Sequence, residues 1–154
     1  MTFQAIEAAG NKIVYMKLND QELLTVRAIR QGWFAAGDIM KKEAIKQIMH
    51  KPKSGRTYLI RRGRRMKRHT ASAAGETAAN FSGAYKKSIG FKVNGWEEME
   101  FGSESGSAAD KYADLLETGT KNMAPRPMIT NVYNATKGTV VSVFEQTIRG
   151  FISK

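Results

Sequence analysis

The sequence predicts an α+β domain. A long N-terminal helix and a C-terminal helix pack on a small antiparallel sheet, and a basic β-hairpin or arm protrudes from it. Three observations predict this. Apolar residues recur at spacings of three and four from Val26 through Ile29, Trp33, Ala36, Met40 and Ala44 to Ile48, the pattern of an amphipathic helix. Short runs of alternating apolar residues are joined by turn signals such as Asn94-Gly95. Between Lys51 and Thr70, in KPKSGRTYLIRRGRRMKRHT, stand nine Lys or Arg residues and no carboxylate.

Taken in order, Lys12–Leu18 (KIVYMKL) alternates as a short strand, with Val14 and Met16 on one face and Ile13, Tyr15 and Lys17 on the other. Phe3–Ala9 reads equally as strand or as one helical turn. Asn19 then offers a helix N-cap, with Glu22 as its capping-box partner. The helical pattern runs from Asp20 to about Met49, its stripe broadened by Leu23, Phe34 and Ile45, and Pro52 closes it. Gly32 and Gly37 each cost about 1 kcal/mol against Ala inside a helix. They mark either close packing or a break into two helices.

The basic segment contains a β-prone run, Thr57 to Ile60, with Gly63 placed to turn the chain. Ala71–Gly83 (ASAAGETAANFSG) has the composition of a flexible connector, so a mobile segment is expected from about Lys51 to Gly83. Ala84–Ile89 suits a short helix. Phe91 and Val93 alternate into Asn94-Gly95, and Trp96, Met99 and Phe101 decorate the returning strand, with Glu97-Glu98 as a candidate bulge. Ser107 and Asp110 read as the capping box of a helix carrying Tyr112, Leu115 and Leu116, which ends at Gly119 in a left-handed cap. After the rigid loop KNMAPRP, the residues Met128, Val132, Ala135, Val140, Val143 and Phe144 mark a final helix toward Ile152. Gly138 and the β-branched Thr139-Val140-Val141 weaken that helix.

The length of 154 residues suits one domain, 1–154, with the arm at about 51–83. No apolar run is long enough to span a membrane, and MTFQAIEAAGNK lacks the pattern of a secretory leader. There is no cysteine, which excludes disulfides, thiol catalysis and thiolate metal sites. The two histidines, His50 and His69, flank the basic arm with no carboxylate nearby in sequence, and Glu97, Glu98, Glu100 and Glu104 read as a solvated acidic edge. No phosphate-cradling glycine motif occurs. No catalytic, metal or cofactor-binding residue is assigned, no cofactor is expected, and the chain is not expected to be an enzyme.

Charge is what singles out a function. Without the nine cations of the arm, the rest of the chain holds sixteen basic and fourteen acidic residues, a net of +2 in place of +11. Cations this dense resist burial and seek a polyanion or an acidic protein surface. Arg56, Arg61, Arg62, Arg64, Arg65, Lys67 and Arg68 are therefore the candidate contacts to a partner or to DNA.

Three stretches carry a likeness to a known family: Ser54–Glu76, with SGRTY, a basic run and HTASAAGE; Phe81–Val93, where Ser82-Gly83-Ala84-Tyr85 stands for a Thr-Gly-x-Leu turn; and Tyr112–Ile129, YADLLETGTKNMAPRPMI. In the last, Tyr112, Ala113, Leu116, Glu117, Gly119, Thr120, Met123, Arg126 and Pro127 match the pattern, while Met128 stands where Phe is common. Over about residues 20–150 the chain resembles the head–tail connector and tail-completion (neck) proteins of long-tailed lambdoid phages. The resemblance implies a non-catalytic virion protein, made in the host cytoplasm. It implies a homo-oligomeric ring, six-fold or else twelve-fold, around the DNA channel at the neck. Its neighbours would be portal, adaptor or head-closure proteins and the tail tube protein, with non-specific proximity to genomic DNA and no membrane. Glu117, Gly119, Thr120, Arg126 and Pro127 would form an interface loop, in which Glu117 and Arg126 can pair. The alternative from the residues alone is a small basic nucleic-acid-binding module, with Tyr58 available for stacking. A small hydrolase would need distant carboxylates to converge on a histidine.

Overall fold

The computed structural model describes residues 3–7, 14–18, 26–80, 82–107 and 109–152; for 3–7, 14–18, 62, 110, 111, 151 and 152 the description is of the backbone alone. The elements run β1 (Phe3–Glu7), β2 (Val14–Leu18), α1 (Val26–His50), β3 (Thr57–Arg62), β4 (Arg65–Thr70), α2 (Ala84–Ser88), β5 (Ile89–Asn94), β6 (Glu98–Ser103), α3 (Asp110–Thr118) and α4 (Ile129–Ile152). The α+β class, with its two long helices, is as expected. The single small sheet is not. Three separate two-stranded antiparallel sheets form, β1-β2, β3-β4 and β5-β6. The ambiguous Phe3–Ala9 stretch supplies a strand, and β2 runs beside β6 without joining its ladder. The capping residues expected at Asn19 and Glu22, and the side chains assigned to the two faces of Lys12–Leu18, lie outside the described residues.

The core is a pair of helices. On α1, Ala28, Gly32, Ala36, Met40, Ala44 and Ile48 are buried at every fourth position. On α4 the same spacing runs through Val132, Thr136, Val140, Phe144 and Ile148. Such rows are the ridges that interdigitate when two helices pack. The helices are antiparallel: Gly32, early in α1, faces Phe144, late in α4, while Gln47 at the end of α1 reaches the Asn131 carbonyl at the start of α4. Small residues at Ala28, Gly32 and Ala36 admit bulk from the partner. The rings of Trp33 and Phe144 lie 4.7 Å apart between centroids.

The two glycines of α1 thus mark close approach, and α1 is unbroken. A Cβ on Gly32 would stand 2.6 Å from the Phe144 ring, and one on Gly37 would run into the Phe91 ring of β5. Two residues expected on the stripe, Val26 and Phe34, are exposed instead, with Ala28 turned inward. On α4, Ala135 is exposed and Thr136 takes its place in the core, its hydroxyl donating to the Val132 carbonyl at 2.8 Å. The helix continues through Gly138 and Thr139-Val140-Val141 because Val140 and Phe144 are buried against α1. Packing outweighs weak propensity here.

The β5-β6 hairpin lies on α1. Phe91 pairs with Phe101 and Val93 with Met99 across its inner face, where Met99 and Phe101 are fully buried. Asn94 pairs with Glu98, so the loop holds three residues, Gly95, Trp96 and Glu97, and no bulge is needed. Gly95 takes a φ of 65° to start it. Trp96 sits in this loop, not on the strand, and its carbonyl accepts from the Trp33 indole at 2.9 Å. The capping box at Ser107 does not form: α3 starts at Asp110 behind Ala109, with no side-chain cap. Its inward residue is Ala113, while Leu115 is 46% exposed.

Candidate functional site

The basic segment folds as a β-hairpin. Strands β3 and β4 pair from Thr57↔Thr70 to Arg62↔Arg65, and Gly63-Arg64 makes a two-residue turn. Gly63 has a φ of 61° and Arg64 a negative one, as in the type II′ turn that suits hairpin twist. Cross-strand partners share a face. One face carries Leu59 opposite Arg68 and Arg61 opposite Met66; the other carries Tyr58 opposite His69 and Ile60 opposite Lys67. Each face therefore sets cations beside apolar groups.

Almost none of this is covered. Arg56, Arg61, Arg64, Arg65, Lys67 and Arg68 are exposed, as are Leu59 at 69%, Met66 at 60% and Tyr58 at 46%. The side chain of Arg62 lies outside the described ones. Among the described residues no carboxylate is ion-paired with any of the six cations; the Arg56 guanidinium instead lies 5.4 Å from the centroid of the Tyr58 ring. Large apolar side chains thus stand in water on a highly charged hairpin, and a two-stranded hairpin is marginal without further packing.

What holds the hairpin is its root. The ladder extends past β3 and β4 through Gly55 N–H to the Ala71 carbonyl and Ala71 N–H to the Arg56 carbonyl, both at 3.0 Å. Beneath it, the Glu76 carboxylate accepts from the Ser54 hydroxyl at 2.6 Å, the Ser54 amide at 3.1 Å and the Ala73 amide at 2.8 Å. It thereby ties together the two chain segments that enter and leave the hairpin. The Ser54 hydroxyl above all, then the Ala73 and Ser54 amides, hold the Glu76 carboxyl down at about 2. Lys53 donates to the Gln47 carbonyl in the last turn of α1 and to the Thr77 carbonyl, at 3.2 and 2.7 Å. Burial lowers its pKa, against the pull of Glu76.

The connector that follows is not the flexible link its composition suggests. Ser72, Thr77 and Ala78 are buried. Thr77 donates to the buried Gln47 at 2.9 Å, and Asn131 donates to the Gly75 and Pro127 carbonyls at 3.2 and 2.6 Å. Small side chains let this backbone press between α1 and α4, and its polar groups find partners there. The expected mobile segment from Lys51 to Gly83 is thus, among the described residues, a paired hairpin on a bonded base.

The loop expected at an interface is held by bonds within the chain. Glu117, at the end of α3, reaches the start of α4: its carboxylate accepts from the amides of Met128, Ile129 and Thr130 at 2.7, 3.1 and 3.0 Å, and from the Thr130 hydroxyl at 3.1 Å. It caps that helix from a distance, neutralising its first unbonded N–H groups and its positive end. The pairing expected between Glu117 and Arg126 is absent. Arg126 donates from Nε to the Ser72 carbonyl at 3.0 Å and from its amide to the Leu116 carbonyl at 2.7 Å. Gly119 has a φ of 80° with an extended ψ, a region open only to glycine, and a Cβ there would meet the Met123 carbonyl at 2.8 Å. Thr120 bridges to Met123, and the Pro127 carbonyl receives Asn131.

Between the hairpin root, the connector and α3 lies a cleft of about 360 Å3, lined among others by His69, Ser72, Asn80, Tyr85, Tyr112 and Arg126. Burial above all, then the Glu117 carboxylate and Tyr112, raises the Tyr85 pKa far above its ordinary value. Among the described residues no group of three or more His, Asp or Glu gathers to hold a metal, and no helix is long and apolar enough to cross a membrane. His50 ends α1, and His69 lies on β4 opposite Tyr58. Sequence reasoning missed Ser54, Glu76 and Glu117 as clamps. The signal was there in SGRTY and HTASAAGE flanking the basic run, but only the fold brings the two together. No family model, curated protein or solved structure matches this chain.

Proposed function

We propose that this chain is a structural protein of a tailed-phage virion, a ring former at the head–tail junction that joins the tail to the portal-connector complex around the DNA channel. The observation that carries the reading is the exposed hairpin of β3 and β4, rich in cations and apolar side chains and rooted on an otherwise nearly neutral body. A surface of that kind is satisfied by another protein, which takes both the charge and the apolar area out of water. The phage setting comes from the likeness in Tyr112–Ile129. There Glu117, Gly119 and Arg126 fix the loop between α3 and α4, so these residues support the body that presents the hairpin.

The nucleic-acid module is less well supported. Its one stacking candidate from the sequence, Tyr58, already has the Arg56 guanidinium over its ring, and no second Phe, Tyr or Trp stands on the hairpin. The test is complementation. Tails made without this protein and supplied with the purified chain are expected to gain a ring and join heads. The variant Arg61→Glu/Arg65→Glu/Arg68→Glu, changed only at exposed positions, is expected to keep its fold and fail to join them. Wild-type chain that leaves tails unjoined overturns the proposal.

A further inference from the structure

We infer that the basic β3-β4 hairpin of one copy docks on the acidic β5-β6 hairpin of a second copy, as the head-to-tail contact that builds the oligomer. The inference rests on the ring reading above and names the surface that would serve it.

Charge is segregated along the chain. The β3-β4 hairpin has no carboxylate, whereas Glu97, Glu98, Glu100 and Glu104 all lie on or beside β6. On β6, Met99 and Phe101 turn into the core, so alternation places Glu98 and Glu100 on the outer face, where the exposed Lys92 of β5 stands opposite Glu100 and sets one cation against the four carboxylates. Glu98 and Glu100 are held there by Asn94, which donates to both. Glu97 in the loop and Glu104 past the strand are exposed. Among the described residues no ion pair joins the two hairpins, so each presents its charge outward within one chain.

The match goes beyond sign. Both hairpins have six paired positions, a length of about 20 Å at ~3.3 Å per residue, so cations along one can face carboxylates along the other. Both also expose apolar surface. Leu59 and Met66 stand among the cations, and Trp96, 37% exposed, stands at the acidic tip. An arginine from the basic hairpin meeting Trp96 adds a cation–π contact. The two patches are different surfaces of one chain, so the contact is heterologous and propagates into a ring or a filament.

The absence of cysteine makes the test clean. Arg64→Cys at one hairpin tip and Glu97→Cys at the other are made in separate chains, mixed at high concentration and low salt, and oxidised. Lys137→Cys, on an exposed position of α4, is the control. Circular dichroism checks that each variant is folded. The mixed Arg64→Cys/Glu97→Cys dimer is expected to exceed both like-with-like dimers and the control pairing by ~10-fold or more, an excess that electrostatic steering supplies and added salt removes. Equal yields in all pairings, or a preference for Arg64→Cys with itself, overturns the inference. If these dimers are not favoured yet the wild-type chain still completes tails, the contact is wrong and the ring reading stands. If they are favoured yet tails remain incomplete, the contact is right and the phage reading falls.

Discussion

Replacing Glu117 with Ala removes the cap of α4 and is the sharpest test of how this fold is held. Four donors lose their acceptor: the amides of Met128, Ile129 and Thr130 and the Thr130 hydroxyl. A hydrogen bond to a charged group contributes about 1.5–3 kcal/mol, but the four are not additive. Thr130 is exposed, so water replaces part of what it loses, whereas Met128 is fully buried and its amide is harder to satisfy. Loss of the favourable charge at the helix end adds about 0.3–1 kcal/mol. The net expected destabilisation is about 2–4 kcal/mol. At about 2–4 °C per kcal/mol for a chain of this size, the melting temperature falls by roughly 4–16 °C. Glu117→Gln keeps one acceptor oxygen and is expected to cost about half as much. Urea unfolding followed by helix ellipticity reads both. An alanine variant within about 0.5 kcal/mol of wild type, the range of an ordinary surface change, refutes the cap.

Two further outcomes follow from the same contacts. Gly32→Ala gains up to about 1 kcal/mol of helix propensity but drives its Cβ into the Phe144 ring, an overpacking cost of about 1–3 kcal/mol; Gly138→Ala meets nothing within 4 Å and is expected to stabilise by about 1 kcal/mol, so denaturation midpoints moving in the same direction would contradict the packing of α1 on α4. Glu76, held at about 2 when folded against an ordinary 4.5, contributes stability that is present in full above pH 4.5 and is lost as the pH falls toward 2. Protection of the Ser54 and Ala73 amides, taken relative to their unfolded exchange rates at each pH, should fall over that window, and Glu76→Gln should abolish the pH dependence.

How far the fold was legible in the sequence varies with the physics of each part. The helix pair shows plainly, because residues such as Met40, Ala44 and Ile48 recur at helical spacing, and the Gly63 and Asn94-Gly95 turns announce their hairpins. Phe34 and Leu115 stand outside the core, because periodicity locates a stripe without fixing how wide its partner is. Ala71–Gly83 misled because small polar residues serve a mobile linker and a tightly packed loop equally well; the difference lies in Gln47 and Asn131, distant in sequence. By sequence Glu117 can pair with Arg126, since the two lie close along the chain. Only the approach of α4 shows that its carboxylate faces three backbone amides. The cations of the hairpin are legible as a group, but the exposure of Leu59 and Met66 beside them depends on the register of β3 and β4.

Mass in solution, taken for the purified chain alone and after mixing with tails made without it, tests the account most directly. The expected result is a monomer alone and a closed ring of six or else twelve copies per tail, with the hairpin variant Arg61→Glu/Arg65→Glu/Arg68→Glu left behind as monomer. A chain that stays monomeric, ignores tails and shifts a DNA probe at moderate salt would contradict the account and make the hairpin a nucleic-acid surface.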